Sequence, residues 1–306
     1  MTRIVDLTVA IATRQRPVAL RCCLEAVLAG SVLPAEILVV DQSEDDATAG
    51  VATRQLTPAG VELRYLRQTS RGLSHSRNAA FRDAARAVIA VTDDDCIPDV
   101  QWLEVLAREL RPDAAIDAVG GRVLPLGPEV QGMHAVSSRT SEVRRDFFGK
   151  TVPWEVGTGA NFCVRRDWLT RIGGYDVRLG AGSPGHAGED MDVIHRLLNA
   201  GARIRYEPGA VVYHERQPSS RRARSRYDYG YGLGACCGLW IRERVPFAVR
   251  ILGSWIAMRM RLFLRPGGAQ GHSTRREELQ VLRGTAAGLG YGLRVGGSRQ
   301  LGPGDG

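Results

Sequence analysis

The segment at residues 88–98 constrains the fold most, because a short apolar run there ends in three consecutive carboxylates, Asp93, Asp94 and Asp95. The run is rich in β-branched residues and predicts a strand buried on both faces. Ligands of open parallel sheets bind where the strands end. Adjacent carboxylates repel unless a cation joins them, and their oxygens suit Mg²⁺ or Mn²⁺. A metal site is therefore favoured over the simpler interpretation, in which Asp94 or Asp95 only caps the following helix.

The first half of the chain alternates between strand and helix patterns. Apolar segments predict strands at residues 7–12, 36–41, 61–66 and 88–92. Segments with apolar residues at helical spacing lie at 17–28, 75–87 and 100–110. This alternation predicts an α/β fold with an open, mostly parallel central sheet flanked by helices.

The second half is less regular and contains a long loop at 125–150, a length typical of functional or mobile segments. Further strands are predicted at 118–124, 203–206 and 210–213, and a helix is predicted at 189–198. Glu189 and Asp190 begin this helix, and His214 follows the last of the strands.

Composition narrows the classes of partner. The 306 residues carry a formal charge of +8, which indicates an anionic partner such as a nucleotide, a phosphorylated lipid, nucleic acid or a membrane surface. None of the six cysteines has the spacing of a zinc site. The N-terminus leads into a strand without a charged-then-apolar signal segment, so we expect a cytoplasmic protein with reduced cysteines.

The character of the chain changes after residue 220. We predict a basic, amphipathic helical extension at 221–266 and a flexible, glycine-rich tail at 267–306. Arg250, Arg261 and Arg265 share one side of a helical wheel opposite an apolar side. Residues 240–266 could thus rest on an anionic membrane surface or pack on the domain, and the pattern favours neither.

Four acidic or imidazole features are predicted to share one edge of the sheet. They are Asp41 at the end of the second strand, the triplet at 93–95, the pair at 189–190, and His214. Each feature other than the triplet also has a purely structural explanation when it is taken alone. Asp41 could form a turn, the pair at 189–190 could compensate the charge of a helix N-terminus, and His214 could be a packed histidine. Together they indicate a site for a nucleotide and a metal ion.

Residues 7–214, about two thirds of the chain, resemble family 2 glycosyltransferases of the GT-A fold. The matching segments are VAIATRQRP (9–17), ILVVDQS (37–43), RGLSHSRNAA (71–80), TDDDCIP (92–98), GANFCVRR (159–166), GGYD (173–176) and GEDMD (188–192). One Asp-x-Asp would be weak evidence, but the ordered set is specific. The resemblance implies a GT-A domain at 1–220, with a nucleotide-sugar half at about 1–115 and an acceptor half at about 116–220.

The resemblance also implies residue roles. Residues expected to contact the nucleotide or donor are Ala12, Thr13, Arg14, Arg16, Asp41, Arg71, Arg77, Asp93 and Asp94. Residues expected to shape the pocket for the donor sugar and acceptor are Gly159, Ala160, Asn161 and Glu189. Asp95 and His214 are the expected ligands of a divalent metal, Mn²⁺ or Mg²⁺, and Asp190 is the expected catalytic base.

The implied activity is metal-dependent, inverting transfer of one sugar from a nucleoside-diphosphate sugar to a hydroxyl of a glycan or lipid-linked acceptor. This fits the synthesis of a polysaccharide, cell-envelope glycan or glycolipid in the cytoplasm, with peripheral contact to the inner face of the membrane as an open alternative. Processive members carry a Gln-x-x-Arg-Trp segment that this chain lacks, so we expect a single addition. The basic run at 221–226 could bind a diphosphate on the acceptor or be a solvated surface.

Other classes fit less well. A nucleotidyltransferase would carry a glycine- and lysine-bearing phosphate loop, and residues 13–17 contain neither. A basic nucleic-acid-binding protein would not place an acid cluster against phosphates, so no nucleic-acid partner is expected. A protein that binds nucleotide sugars without transferring them is also an alternative, although Asp95, Asp190 and His214 are all present.

Overall fold

The computed structural model describes residues 2–264 and 274–295. The strands are β1 (Arg3–Thr13), β2 (Val32–Asp41), β3 (Glu62–Arg67), β4 (Val88–Asp93), β5 (Cys96–Pro98), β6 (Ala118–Pro125), β7 (Met133–His134), β8 (Arg145–Phe147), β9 (Asn161–Arg165), β10 (Ile204–His214) and β11 (Gln217–Pro218). The helices are α1 (Pro17–Leu28), α2 (Ala47–Arg54), α3 (Leu73–Asp83), α4 (Trp102–Glu109), α5 (Arg166–Ile172), α6 (Glu189–Asn199), α7 (Ser219–Arg242), α8 (Phe247–Leu264) and α9 (Arg275–Arg294), with a 3₁₀ turn at Pro153–Glu155.

One central sheet organises the described residues. Its strands lie in the order β3-β2-β1-β4-β9-β6-β10-β5, and β8 pairs with β10 outside this path. The strands β3, β2, β1 and β4 are parallel, whereas β9 is antiparallel to both of its neighbours. The predicted mostly parallel sheet with flanking helices is therefore confirmed, with antiparallel strands in its second half.

Two apolar layers cover the faces of the sheet. Every residue of β2 is buried, and its side chains alternate between the layers as strand geometry requires. Ile37 and Val39 face a core formed with α1 and α4, whereas Leu38 and Val40 face a core formed with α3, α5 and α6. Burial on both faces explains why β2 is almost uniformly apolar.

Two details of the strand and helix prediction are corrected. The segments at 203–206 and 210–213 belong to one strand, β10, whose pairing with β6 shifts register between Glu207 and Val211 and then resumes. Pro208 and Gly209 lie in this shift, and such residues read as a strand break in a sequence pattern. Helix α2 was not predicted, because its eight residues include small and polar side chains with little periodicity.

The C-terminal region forms a helical bundle rather than a flexible tail. The prediction of a tail from residue 267 is wrong for residues 274–295, which hold α9 and its capping box between Thr274 and Glu277; the other residues of that prediction lie outside the described part. Helix α9 crosses α7 with glycines facing the contact on both helices, namely Gly230, Gly234, Gly238, Gly284, Gly288 and Gly292. A Cβ atom on Gly288 would lie 1.9 Å from the carbonyl oxygen of Tyr231, so the two backbones touch.

Helix α8 packs on this bundle. Its Ile251 and Trp255 are buried in a third apolar cluster with Leu233 of α7 and Val281 of α9. The other side of α8 is exposed, including Val249. No helix in residues 2–264 or 274–295 has the length and apolar character that crossing a membrane requires.

Candidate functional site

A cavity of about 910 Å³ lies at the carboxyl ends of β1 and β4 and continues toward the C-terminal bundle. The predicted residues that line it are Ala12, Thr13, Arg14, Arg16, Arg77, Asp93, Asp94, Asp95, Gly159, Ala160, Glu189, Asp190 and His214. The volume suits a ligand of the size of a nucleotide conjugate. The structure therefore brings most of the predicted site residues to one wall.

The three carboxylates of the triplet have different partners, because the chain turns between β4 and β5. Asp94 accepts a hydrogen bond from the Thr13 hydroxyl at 2.8 Å and one from Arg16 at 3.1 Å. Asp95 accepts from Arg16 at 2.6 Å. Burial raises the pKa of Asp94 to about 6, although the charge of Arg16 opposes the shift. Arg16 thus pairs with two of the three acids.

A four-residue cluster has the geometry of a cation site. Ligand atoms of Asp93, Asp95, Cys96 and His214 all lie within 4.8 Å of one another. Antiparallel pairing of β5 with β10 places His214 beside Cys96, and the amide of Glu215 donates to the Asp95 carbonyl at 2.9 Å. The sheet itself therefore assembles the cluster from residues about 120 positions apart.

The donor set fits a divalent metal. The Glu215 carbonyl can only accept, so the His214 Nδ1 atom, 2.9 Å away, is the protonated nitrogen. The lone pair of Nε2 then faces Asp95, whose carboxylate is 3.6 Å from it. Burial and the charge of Asp93 raise the pKa of the Cys96 thiol well above its usual value. A neutral thiol is a poor ligand, so the carboxylates and imidazole are the suitable donors.

Arg77 joins the triplet to helix α6. Its buried guanidinium donates to Asp93 at 3.0 Å and to Glu189 at 2.7 Å. Burial alone would lower the pKa of Arg77, but the two carboxylates reverse this and raise it. Burial and the charge of Asp190 raise the pKa of Glu189 to about 7, against the opposing effect of Arg77. A Cβ atom on Gly159 would lie 2.6 Å from this guanidinium, so only glycine fits beside Arg77.

Asp190 has a fixed orientation in the first turn of α6. One carboxylate oxygen accepts from the amide of Gly159 at 2.9 Å, and the other accepts from the amide of Met191 at 2.7 Å. The helix begins after Gly188, whose φ of 89° is favourable only for glycine. A Cβ atom there would lie 2.9 Å from the carbonyl oxygen of Gly232, so this turn is held against α7.

Three of the predicted site residues, Asp41, Arg71 and Asn161, do not line the cavity. Asp41 is buried and accepts from Ser43 and from the Tyr65 hydroxyl, so a contact with a base stays a prediction. Arg71 is exposed and pairs with Glu44.

Asn161, which was expected to shape the pocket, does not line the cavity, so that role stays a prediction. Its amide nitrogen donates to the carbonyl oxygens of Arg122 and Ala210, and its oxygen accepts from the Trp102 indole at 2.9 Å. Asn161 is fully buried and therefore holds β9 to its neighbouring elements.

The far wall of the cavity was predicted only in part, since the basic run at 221–226 was the one segment of it considered as a ligand site. His186 lies in the loop before α6, has a φ of 63°, and its Nδ1 is 2.7 Å from Asp228 of α7. Arg222, Arg226 and Tyr229 line the same wall at helical spacing. The spacing of these three residues was the available signal in the sequence. It indicates a shared helix face only when the helix is known to run through Ser219–Arg242.

An open α/β sheet with an acid and imidazole cluster at its edge defines a GT-A glycosyltransferase fold. Residues 5–227 match the family described as glycosyltransferase like family 2, and the chain belongs to that family.

Three similar proteins illustrate the range of relatives. The pre-mycofactocin glycosyltransferase of Mycobacterium tuberculosis is 28% identical over 83% of this chain, and the chain spans only 52% of that relative's length. The N-acetylglucosaminyl-diphospho-decaprenol L-rhamnosyltransferase of M. tuberculosis is 26% identical over 82% of this chain and 89% of its own. A mannosyltransferase from Pyrobaculum calidifontis, solved with GDP-Man and Mn²⁺, superposes with a TM-score of 0.61 at 16% identity, covering 94% of this chain and 88% of that one.

Proposed function

We propose that the protein transfers one sugar, with inversion, from a nucleoside-diphosphate sugar to a hydroxyl of a glycan or lipid-linked acceptor in cell-envelope synthesis. The observation that carries the proposal is the convergence of Asp93, Asp95 and His214 on one point of the cavity that Asp190 also lines. The relatives named for glycosyl transfer support the reaction class.

The metal end of the reaction is assigned to Asp95 and His214, with Asp93 beside them. A divalent cation held there would neutralise the charge that gathers on the departing diphosphate. Arg16 lies against Asp94 and Asp95 and is partly exposed, so it can shift its contacts toward an incoming phosphate group. Mn²⁺ in the mannosyltransferase structure supports a divalent cofactor.

The acceptor end is assigned to Asp190. Its two amide contacts fix the carboxylate toward the cavity, where it can orient an acceptor hydroxyl and take its proton. Those amides also stabilise the anion, which weakens the base, so placement of the hydroxyl is the larger contribution. A base that activates the acceptor hydroxyl on the face opposite the leaving group leads to direct displacement and therefore to inversion. Glu189 faces Arg77 instead, and we assign it the role of holding Arg77 and Asp93 in place.

Thermal unfolding with a panel of nucleoside-diphosphate sugars and Mn²⁺ tests the donor site. We expect one nucleotide to raise the melting temperature by several degrees, as mass action requires of a ligand of the folded state. Asp95→Asn should abolish this stabilisation, and Asp113→Asn, at an exposed acid, should keep it. If no nucleotide stabilises the wild type in the presence of Mn²⁺, the proposal fails.

Product analysis tests the chemical step. Asp190→Asn should keep nucleotide stabilisation but lose transfer by at least about a hundredfold, the usual contribution of a general base. A variant that retains full transfer would remove Asp190 from this role. The anomeric configuration of the product, read by NMR, tests inversion.

A further inference from the structure

The cavity does not end at the carboxylates, because α7, α8 and α9 enclose a second part of it. We call this part the bundle chamber. It is lined by arginines and by large apolar side chains, namely Arg222, Arg226, Arg259, Trp154, Trp255, Leu233 and Val281. None of the roles assigned above uses these residues.

The arginines of the bundle chamber outnumber the acids that they contact. Glu278 is fully buried, and Arg226 lies 2.6 Å and Arg259 3.6 Å from its two oxygens. Arg222 forms a two-point contact with Glu277 at 2.5 and 3.2 Å. Among the described residues, three guanidinium groups therefore lie against these two carboxylates. Asp228, a further acid on this wall, lies 3.6 Å from Arg224 and 2.7 Å from His186.

Arg259 is the arginine whose surroundings are least favourable to its charge. Its side chain is only 14% exposed and its guanidinium lies 3.9 Å above the Trp255 ring. Its buried Nε atom has no hydrogen-bond partner in the described part of the chain. Burial lowers the pKa of Arg259, and repulsion from Arg226 adds to this although Glu278 opposes it. A buried cation in this state is stabilised by an anionic ligand.

A purely structural role would not need this arrangement. One Arg–Glu pair, or apolar side chains alone, would hold the three helices together at less cost in desolvation. Tyr229 connects the bundle chamber to the carboxylates, since it follows Arg222 and Arg226 on one face of α7. The Tyr229 hydroxyl lies 3.4 Å from the Ser137 hydroxyl, and both residues line the same cavity as Asp190.

The rest of the wall is apolar. The rings of Trp154 and Trp255 lie 5.4 Å apart, and Leu233 and Val281 complete this side. A ligand here would place a negative group at the arginines and an apolar group against the tryptophans.

Resting on the proposed transfer reaction, we propose that the bundle chamber binds an acceptor that carries a phosphate or diphosphate ester beside an apolar group. The phosphate oxygens would receive hydrogen bonds from Arg259 and its neighbours, and the apolar substituent would contact Trp154 and Trp255. The acceptor hydroxyl would then extend past Tyr229 toward Asp190.

Binding measured without metal isolates the bundle chamber from the donor site. The full chain in EDTA is titrated by calorimetry with farnesyl diphosphate, inorganic pyrophosphate and farnesol as probes. We expect farnesyl diphosphate to bind at least about tenfold more tightly than either other probe, because only it supplies both groups. Asp113→Asn, at an exposed acid that does not line the cavity, should leave this binding unchanged.

Arg259→Gln should weaken farnesyl diphosphate binding by about tenfold or more. Arg222 and Arg226 keep their contacts with Glu277 and Glu278 in this variant, and a melting curve checks that it folds. Arg259→Lys keeps the charge but loses the planar guanidinium, so it should lose less affinity for farnesyl diphosphate than Arg259→Gln does. It replaces the glutamine variant in the test if that variant does not fold. Arg261→Gln, two positions along on the exposed side of α8, is the matched control and should bind as the wild type does.

The outcomes separate the parts of the proposal. Equal binding of farnesyl diphosphate to the wild type and Arg259→Gln would overturn the arginine site, and equal binding of farnesol would overturn the need for an anion. Pyrophosphate binding as tightly as farnesyl diphosphate would overturn the apolar half and indicate a site for free phosphates. Failure of the donor proposal would appear elsewhere, as loss of Mn²⁺-dependent nucleotide binding with farnesyl diphosphate binding intact.

Discussion

Glu189 links the protonation state of the site to the stability of the fold. Burial and the charge of Asp190 raise its pKa to about 7, above the value of about 4.3 for an unfolded chain. The folded state therefore holds this proton more tightly, so the stability from this group is complete below about pH 4 and is lost as the pH rises through about 7. Glu189→Gln should remove this pH dependence of the free energy of unfolding. The variant should therefore become more stable relative to the wild type as the pH rises from about 5 to about 8.

Thermal or urea unfolding in EDTA across this pH range measures the difference. Glu44→Gln is the control, because the Glu44 carboxylate is 61% exposed. Parallel pH profiles for the wild type and Glu189→Gln would contradict the assignment of the raised pKa to Glu189.

Cys96 allows a test of whether closeness to the cluster is enough for a side chain to bind the metal ion. Its sulfur lies within the cluster of Asp93, Asp95 and His214, but its thiol is held neutral by burial and the surrounding acids. We expect Cys96→Ala to keep Mn²⁺-dependent nucleotide binding within about threefold, whereas His214→Ala should weaken it by at least about tenfold. Titration of Mn²⁺ at fixed nucleotide, followed by thermal unfolding, measures both. Equal losses in the two variants would make Cys96 a ligand.

Residue roles were predictable where the chain itself fixes the direction of a side chain. The acid triplet follows a strand directly, so its place at the sheet edge could be predicted from residues 88–98 alone. Asp41 and Asn161 were not predictable in the same way, because Tyr65 and Trp102, which are distant in sequence, determine where their polar atoms point. The position of a residue in the sequence shows that it lies at the end of a strand, but it does not show which distant side chain hydrogen-bonds to it.

At the scale of elements, the crossing of α7 and α9 depends on glycine. Gly288→Ala would place a methyl group 1.9 Å from the Tyr231 carbonyl, so the helices must separate. We expect a loss of about 1–3 kcal/mol in the free energy of unfolding, the usual cost of overpacking. Gly253→Ala in α8 is the matched control, because a Cβ atom there meets nothing within 4 Å. Urea unfolding measures both, and the control should gain up to about 1 kcal/mol from helix propensity.

A helical extension was predicted at 221–266, but the same glycines explain why α9 and its crossing with α7 were not predicted. Glycine disfavours isolated helices, so segments rich in it read as loops or tails. The pattern that favours a helix is the four-residue spacing of Gly230, Gly234 and Gly238. It predicts a close helix crossing only together with a second segment of the same spacing, which α9 provides. Strands in the first half needed no such partner, because an apolar β-branched run predicts a buried strand by itself.

At the scale of the whole molecule, the site requires both the sheet and the bundle. The sheet contributes Asp95 and His214, and α7 closes the opposite side of the same cavity. The contact of Gly188 with Gly232 joins the two parts where α6 begins, next to Asp190. A change at the crossing of α7 and α9 is therefore expected to reach the acceptor side of the cavity before it reaches the metal cluster.

Helix α8 has a side that packs on the bundle, as one of the two sequence interpretations expected, and contact of its other side with a membrane stays a prediction. Its buried side packs on the bundle through Trp255, while an exposed apolar stripe runs along the other side. The stripe consists of Val249, Ile256, Met260 and Leu264. Arg250 and Arg261 are also exposed, and such a helix suits the interface of an anionic bilayer.

We expect the full chain to float with vesicles that contain phosphatidylglycerol at low salt and to remain behind with pure phosphatidylcholine. The double variant Ile256→Glu, Met260→Glu should lose at least about tenfold in vesicle affinity, because it places two carboxylates where the stripe would enter the headgroup region. Val18→Glu, at an apolar residue 73% exposed on α1, should bind as the wild type does. Equal flotation of all three proteins would show that net charge, rather than α8, holds the protein to the vesicle. A wild type that does not float would leave α8 only its packing role.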